Sequence, residues 1–295
     1  MHRIDFGMPT LLELPDAEDC VRLCASLGLR FLELNMNLPQ YQPDAVDIER
    51  LKRLAERYGV YYTIHLDENF NPFDFNSAVA QAWLETLRRT VRIAAALSAP
   101  ILNMHLPAGV YFTLPDRRVY LFEAYRETYR DRLRAFRALY ESEAGAAGPR
   151  LCIENCGDWL PFQLEALAEL LESDGFGLTL DVGHNAAAGY RAEPFVLENR
   201  HKLCHFHFHD LRGVGPSAAW NRGNRPVGLS AACGGERIAR RGGDQDRRGA
   251  APLGRLAARR RRARVAVPLR QAWQKTSRQH RLSQVCRCRI YWAAQ

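Results

Sequence analysis

The feature that most constrains the fold is a repeated alternation of short apolar segments with amphipathic helical segments through residues 1–213. Seven of the apolar segments have the composition of β-strands, and they span residues 3–7, 31–35, 61–66, 101–105, 151–155, 177–182 and 203–209. Strands that alternate with helices indicate βα units and a parallel sheet. Because seven such strands are too many for a simple Rossmann half, the fold class we predict is α/β, a (β/α)8 TIM barrel.

Two of the segments between the strands have a clear helical period. In VDIERLKRLAERYG the apolar residues share one helical face, and Gly59 is expected to end that helix. The longer segment AVAQAWLETLRRTVRIAAAL predicts a second helix, with Pro100 just beyond its end. These two segments supply the helical part of two βα units.

Polar residues stand at the C-terminal ends of the strands from the second strand onward. In a barrel those ends converge on one mouth, which is where active sites are found. Each residue alone also fits an ordinary core or surface role, and Glu154 alone fits a buried ion pair. Six successive strands with such an ending are hard to explain by packing, whereas a shared divalent cation would balance the buried charge. The candidate site residues are Glu33, His65, His105, Glu154, Asp181, His184, His207, His209 and Asp210.

The cysteines and the apolar runs exclude several classes of protein. The chain has eight Cys but no CxxC pair, so it carries neither a zinc ribbon nor a thioredoxin motif. Cys152 and Cys156 share a face with Glu154 and are expected to fill the barrel, and Cys20 and Cys24 are expected to pack within a helix. No apolar run approaches the length of a membrane span. We therefore expect a cytoplasmic protein with reduced thiols and no membrane partner.

Five short motifs resemble the xylose isomerase-like barrel superfamily: YTIHLDEN, ILNMHLP, CIEN, LTLDVGH and HFHFHD. This superfamily includes sugar isomerases and epimerases, and also the metal-dependent apurinic/apyrimidinic endonucleases. The resemblance covers nearly all of residues 1–213. It is closest to the bacterial proteins described as sugar phosphate isomerase/epimerase. Its motifs are specific for the superfamily and carry little information about the substrate.

The resemblance implies a role for each candidate residue. Glu154, Asp181 and His207 match the ligands of the principal divalent metal, which the epimerases complete with a Glu on the eighth strand. His65, His105 and His184 match positions that bind additional zinc ions in the endonucleases and often contact substrate in the isomerases. Glu33 is implied to position substrate, and His209 and Asp210 to bind substrate or a further metal ion. Mixed carboxylate and imidazole ligands suit Mn, Zn, Co or Mg alike.

The implied activity is isomerisation or epimerisation of a small-molecule sugar or sugar phosphate. Such a metal would chelate a carbonyl and its neighbouring hydroxyl, and would stabilise the enediolate formed when a proton is removed. Glu154 and His184 are the implied catalytic residues, and Glu154 or the missing eighth-strand Glu would move the proton. The alternative is an endonuclease-like phosphodiesterase, in which two or three zinc ions would activate water.

The composition changes abruptly after residue 213. Residues 214–295 contain 19 Lys and Arg against three Asp and Glu, whereas residues 1–213 contain 22 against 30. A basic tail of this kind suggests a third possibility, a non-enzymatic binder of polyanions. The acidic balance of the barrel portion itself counts against nucleic acid as its partner. The sequence leaves open whether the chain forms a homo-oligomer.

The genetic code offers a different cause for the basic tail. The family continues its seventh strand with a loop resembling D-H-L-P-L-G-x-G-x-I-D and an eighth strand resembling V-V-E-I-K. An offset frame combines bases two and three of each codon with base one of the next codon. This frame permits D-H-L-P-L-G-T-G-E-I-D from residues 215–226 and V-V-E-I-K from residue 241 onward. In this offset frame Trp220 and Asn221 force a Gly, as the loop requires.

Two family motifs in one offset frame and in the correct order predict that the chain is translated out of frame from about residue 213. The predicted domains are thus a barrel over 1–213 and an aberrant, poorly ordered basic segment over 214–295. On this hypothesis the barrel lacks its last strand and keeps open sheet edges, which are an aggregation liability. The metal site also lacks one carboxylate, so the chain as written is expected to fold poorly or to be weakly active.

Overall fold

The computed structural model describes residues 4–208 and 290–294. Within them seven strands run parallel, as the alternation of apolar and helical segments predicts. A small antiparallel hairpin follows the fourth strand, and one further strand lies near the C-terminus. The strands are β1 Ile4–Pro9, β2 Phe31–Asn35, β3 Tyr61–His65, β4 Ile101–His105, β5 Tyr111–Thr113, β6 Arg118–Tyr120, β7 Arg150–Glu154, β8 Phe176–Asp181, β9 Leu203–Phe208 and β10 Ile290–Ala294.

The helices connect these strands, and several begin at a side-chain cap. Asp16, Asp47 and Asn76 each accept a backbone N–H of the first turn, which satisfies a donor that the helix itself leaves free. Gly59 ends its helix in the left-handed conformation at φ 66°, as predicted. The helices are α1 Ala17–Ser26, α2 Ile48–Tyr58, α3 Ser77–Ala96, α4 Leu121–Ala124, α5 Arg126–Ala144, α6 Pro161–Leu171, α7 Val182–Ala187 and α8 Glu193–Glu198. None of those in the described residues is long and apolar enough to span a membrane.

The sheet closes into a barrel with the strand order β1-β10-β9-β8-β7-β4-β3-β2. The prediction of a TIM-type α/β barrel is therefore confirmed, but the expectation of open edges next to β9 and β1 is wrong. β10 pairs antiparallel with both of these strands. Unpaired edges expose backbone N–H and C=O groups, and β10 satisfies both edges at once. The predicted boundary at 213, and nearly all of the basic segment after it, lie outside the described residues.

The floor of the barrel is an apolar layer at the N-terminal ends of the strands. Buried Phe31, Ile101, Cys152 and Cys204 pack together there, with Tyr61 against them. The expected barrel-filling role of Cys152 is thus confirmed, and so is the burial of Cys20 and Cys24. The expectation for Cys156 is wrong because β7 ends at Glu154, which leaves Cys156 in the exposed loop beyond the barrel.

Gly7 is expected to be essential to this floor. A Cβ atom built at this position would overlap the buried ring of Phe31. Gly7→Ala should therefore lower the free energy of unfolding by about 1–3 kcal/mol, the usual cost of overpacking a core. Urea denaturation measures this loss, and adding Phe31→Leu should restore part of it. The double variant should lose less free energy of unfolding than the two single variants lose together. Equal losses would contradict the overlap.

Candidate active site at the barrel mouth

Strand register brings the predicted polar residues to one end of the barrel. His105 on β4 pairs with Glu154 on β7, and Asp181 on β8 pairs with His207 on β9. Glu154, Asp181 and His207 are each 3% exposed or less, although their side chains are polar. Glu154 and His207 are hydrogen-bonded to each other, and the Asp181 carboxylate accepts from the backbone N–H of His184, which lowers the cost of removing these groups from water.

Glu154 is the centre of this network. Its Oε1 lies 2.9 Å from His207 Nδ1, and its Oε2 lies 3.3 Å from His65 Nε2 and 3.5 Å from His105 Nε2. Asn103 Nδ2 also donates to Oε2, and the side-chain oxygen of Asn103 accepts from Thr179. One carboxylate thus gathers imidazoles from three strands of the barrel.

Glu33 lies beneath Glu154 and shares His207 with it. Its Oε1 is 3.1 Å from His207 Nε2. Its Oε2 accepts from Thr63 Oγ1 at 3.0 Å and lies 2.9 Å from His205 Nε2. Glu33 is 1% exposed, so its described contacts are with the barrel interior. The substrate-positioning role that the resemblance implies for it stays a prediction.

Asp181 occupies the junction of a strand and a helix. It is the last residue of β8 and the N-cap of α7, and its Oδ1 accepts from the backbone N–H of His184 at 2.6 Å. Asn155 holds this junction to β7: its side chain accepts from the Asp181 N–H at 2.8 Å and donates to the Asp181 C=O at 3.0 Å. The half-buried His184 therefore sits at the rim of the mouth, within reach of Asp181.

The candidate metal ligands fall into groups whose ligand atoms lie within 4.8 Å of one another. One group is Glu154, Asp181 and His184, and another is His65, Glu154 and His207. The predicted set of Glu154, Asp181 and His207 is therefore divided between two groups that share Glu154. A third group, deeper in the barrel, joins Glu33 to His205 and His207. His209 and Asp210 lie outside the described residues.

The charges of the network stabilise one another. Burial opposes the charge on Glu154, but the imidazoles, first that of His207, outweigh it and hold the pKa of the carboxyl well below its usual range. Burial alone would lower the pKa of His207, yet Glu154 and Glu33 together raise that pKa to about 10. His205 has Glu33 as its carboxylate partner, and burial prevails and lowers its pKa.

These shifts predict a stability that depends on pH in the metal-free protein. His207 has a raised pKa in the folded state, so its contribution is complete below the unfolded value of about 6.5 and is lost as pH rises towards about 10. The free energy of unfolding in the presence of a chelator should fall between pH 6.5 and pH 9.5 by up to about 4 kcal/mol. In the same urea titrations, the free energy of unfolding of His207→Gln should fall clearly less over this pH range. An equal fall in both proteins would contradict the assignment of the pH dependence to His207.

The donor set fits a divalent cation. Two ligands about 2.1 Å from one cation, at an angle of about 90–110°, lie about 3–3.4 Å apart. The contacts of Glu154 with His207 and His65 are 2.9 and 3.3 Å, which is close to this spacing. In the described part of the chain, Glu33 and Glu154 form their ion pairs with imidazoles. An imidazole that gives up its proton can bind a cation in its place.

Several polar residues of the site are missing from the sequence-based prediction. Asn103, Thr63 and Thr179 sit within apolar strands, and their contacts in the site follow only from the register of the strands. Asn155 directly follows Glu154, and its role depends on the backbone of another strand. Alternation along ILNMH could have placed Asn103 on the same side as His105, but its contact with Glu154 requires the closed barrel.

Comparison with known proteins gives the same fold. The family model described as xylose isomerase-like TIM barrel matches residues 21–234, so the match ends beyond the predicted boundary at 213. Among solved structures, the 3-keto-D-glucoside 4-epimerase of E. coli is 16% identical with a TM-score of 0.56, covering 71% of this chain and 82% of that one. A D-tagatose 3-epimerase-like protein is 23% identical with a TM-score of 0.54, covering 69% and 76%.

A third solved structure, the D-allulose 3-epimerase from Methylomonas sp., is 16% identical with a TM-score of 0.52 and covers 70% of this chain and 72% of that one. Comparison with the curated proteins finds no match. At these identities the structures share a fold with this chain. The family match extends over well more than half of the sequence, and the chain therefore belongs to the xylose isomerase-like TIM barrel family.

Proposed function

We propose that this protein is a divalent-metal-dependent isomerase or epimerase of a sugar or sugar phosphate. The observation that carries the proposal is the convergence on Glu154 of His65, His105 and His207, with Asp181 beside them at the barrel mouth. The fold likeness to three sugar epimerases favours a sugar as the substrate class. A mouth lined by buried carboxylates and imidazoles suits chemistry at a carbonyl and its neighbouring hydroxyl.

Glu154, Asp181 and His207 are the residues we propose as holders of the cation. A bound divalent cation would supply Lewis acidity to the substrate carbonyl and the hydroxyl next to it. Glu154 belongs to two of the candidate groups, and Asp181 and His207 are register partners on neighbouring strands. The hydrogen bond from the His184 N–H fixes the orientation of the Asp181 carboxylate.

Proton transfer would fall to two residues of the mouth. Glu154 is ionised at neutral pH because its neighbours depress its pKa, so it can accept the proton from the carbon next to the carbonyl. His184 is half-buried at the rim and is the second proton carrier that we propose. Asn103 and His65 would hold the Glu154 carboxylate in place through their contacts with its Oε2.

The test is an epimerisation assay in D2O. The purified full chain, loaded with Mn2+, Co2+, Zn2+ or Mg2+ in turn, is incubated with a panel of ketoses and their phosphates. We expect one substrate to form its epimer or isomer with incorporation of solvent deuterium at the carbon that exchanges its proton. A chelator should abolish the exchange. A metal-loaded protein that exchanges deuterium into no member of the panel, both as written and with its reading frame restored near codon 213, would contradict the proposal.

The second candidate function is a metal-dependent phosphodiesterase. It is favoured by one observation: His65 and His105 both bring Nε2 within 3.5 Å of Glu154 Oε2, so that further imidazole ligands stand beside the carboxylate. The net negative charge of residues 1–213 counts against duplex DNA as its substrate. Two or three zinc ions per chain, together with cleavage of bis(4-nitrophenyl) phosphate, would favour the hydrolase. One metal ion per chain and no cleavage would favour the epimerase.

A further inference from the structure

We propose that Glu33 is a positioning residue for His207: buried beneath the mouth, it holds Nε2 of that imidazole so that Nδ1 faces the proposed cation. The inference rests on the proposed function, because it assigns one residue's part in a metal site. It is an alternative to the substrate-positioning role that the resemblance implies for Glu33.

The first argument is the geometry around His207. Its Nδ1 lies 2.9 Å from Glu154 Oε1, and its Nε2 lies 3.1 Å from Glu33 Oε1. Glu154 shares its candidate groups with Asp181 and His184 at the mouth, whereas Glu33 groups with His205 inside the barrel. The side of the ring that carries Nδ1 therefore faces the proposed metal ligands, and the side that carries Nε2 faces inward.

The second argument is that Glu33 is itself held in place. Thr63 Oγ1 donates to its Oε2 at 3.0 Å, and His205 Nε2 lies 2.9 Å from the same oxygen. Both contacts use Oε2, which leaves Oε1 for the ion pair with His207 Nε2 at 3.1 Å. The anchoring groups come from β3 and β9 and are fully buried, and Glu33 is 1% exposed. The barrel interior therefore holds the Glu33 carboxylate in a fixed position as an acceptor.

The third argument is chemical. An imidazole that binds a cation through one nitrogen carries its proton on the other, and a carboxylate that accepts that proton fixes both the tautomer and the ring rotation. Loss of such a partner lowers metal affinity by about 10–100-fold in proteins where it has been removed. If the ion pair were purely structural, its removal would lower stability and leave metal affinity unchanged.

The experiment compares Zn2+ binding by the full-length wild-type chain, Glu33→Gln and Tyr62→Phe, using calorimetry at one fixed pH. Tyr62→Phe is the matched control, since it removes one buried hydrogen bond, to the Leu51 C=O, away from the site. We expect Glu33→Gln to bind Zn2+ about 10–100-fold more weakly and Tyr62→Phe to bind as the wild type does. In the Zn2+-bound wild type, long-range 1H–15N spectra should show the His207 proton on Nε2, and Glu33→Gln should alter that signal.

The outcomes separate the two proposals. Absence of divalent metal binding, both in the wild-type chain and in the chain with its reading frame restored, would overturn the proposed function and this inference with it. Wild-type binding with unchanged affinity in Glu33→Gln would overturn the inference and leave the proposed function standing. If Glu33→Gln does not fold, Thr63→Val decides, because it removes one anchor of Glu33 and keeps the carboxylate. A several-fold loss of Zn2+ affinity in Thr63→Val would then support the inference, and an unchanged affinity would overturn it.

Discussion

Glu154→Gln should remove tight metal binding and lower turnover by on the order of 1,000-fold or more. The substitution keeps the size of the side chain but removes the charge that three imidazoles and Asn103 surround. It takes away a proposed ligand and the proposed proton acceptor together, and residues that act as one unit fail together. Calorimetric Zn2+ titration and the deuterium exchange assay measure the two losses separately.

The control for this variant is Glu18→Gln, the same chemical change at a partly buried glutamate. Glu18 bonds to Arg57 and Tyr58 on the outside of the barrel, so its replacement should leave metal affinity and exchange rate unaltered. Unfolding in urea should confirm that both variants are folded. Near-wild-type metal binding by Glu154→Gln would move the metal site to the one candidate group that lacks Glu154, which is Glu33, His205 and His207, and would remove Glu154 from the mechanism.

The sequence predicts the barrel because local patterns encode it. Each strand carries its own apolar composition, and each helix has its own period and caps, so the fold class follows without knowledge of the contacts. The convergence of the polar residues follows as well, since the ends of parallel strands in a barrel meet at one mouth. This is why the strand endings alone are enough to name Glu154, Asp181 and His207 as candidates.

The pairing within the site could not be predicted in the same way. Glu33 stands two residues before the end of β2, and only its side-chain contacts with β3 and β9 in the closed barrel show that it lies beside His207. His205 shares a face with His207 in the sequence, but its contact with Glu33 links strands that are 172 positions apart. Closure by β10 is also a non-local event, because the same apolar segment could have paired with either edge or with neither.

The region after residue 213 carries the second large prediction. The segment that forms β10, IYWAA, contains no carboxylate and no imidazole in its sequence. The offset reading frame instead permits V-V-E-I-K, whose Glu would complete the carboxylate set that the family resemblance implies. The closed sheet has one strand between β9 and β1, and a restored reading frame would offer V-V-E-I-K for that position in place of IYWAA.

Restoring the reading frame near codon 213 should give a chain that binds one divalent metal ion at least about 100-fold more tightly and turns over substrate correspondingly faster. The reason is the added ligand, because three protein ligands become four. The matched control is the repaired chain with the Glu of V-V-E-I-K replaced by Gln, which should keep the improved fold and lose most of the gain in affinity. Sequencing the gene across the codons for residues 211–217 tests the premise directly. If no one-base change in that DNA restores both family motifs, residues 214–295 are a genuine segment. If the unrepaired chain equals the repaired chain in metal affinity, the site is complete without an eighth-strand carboxylate.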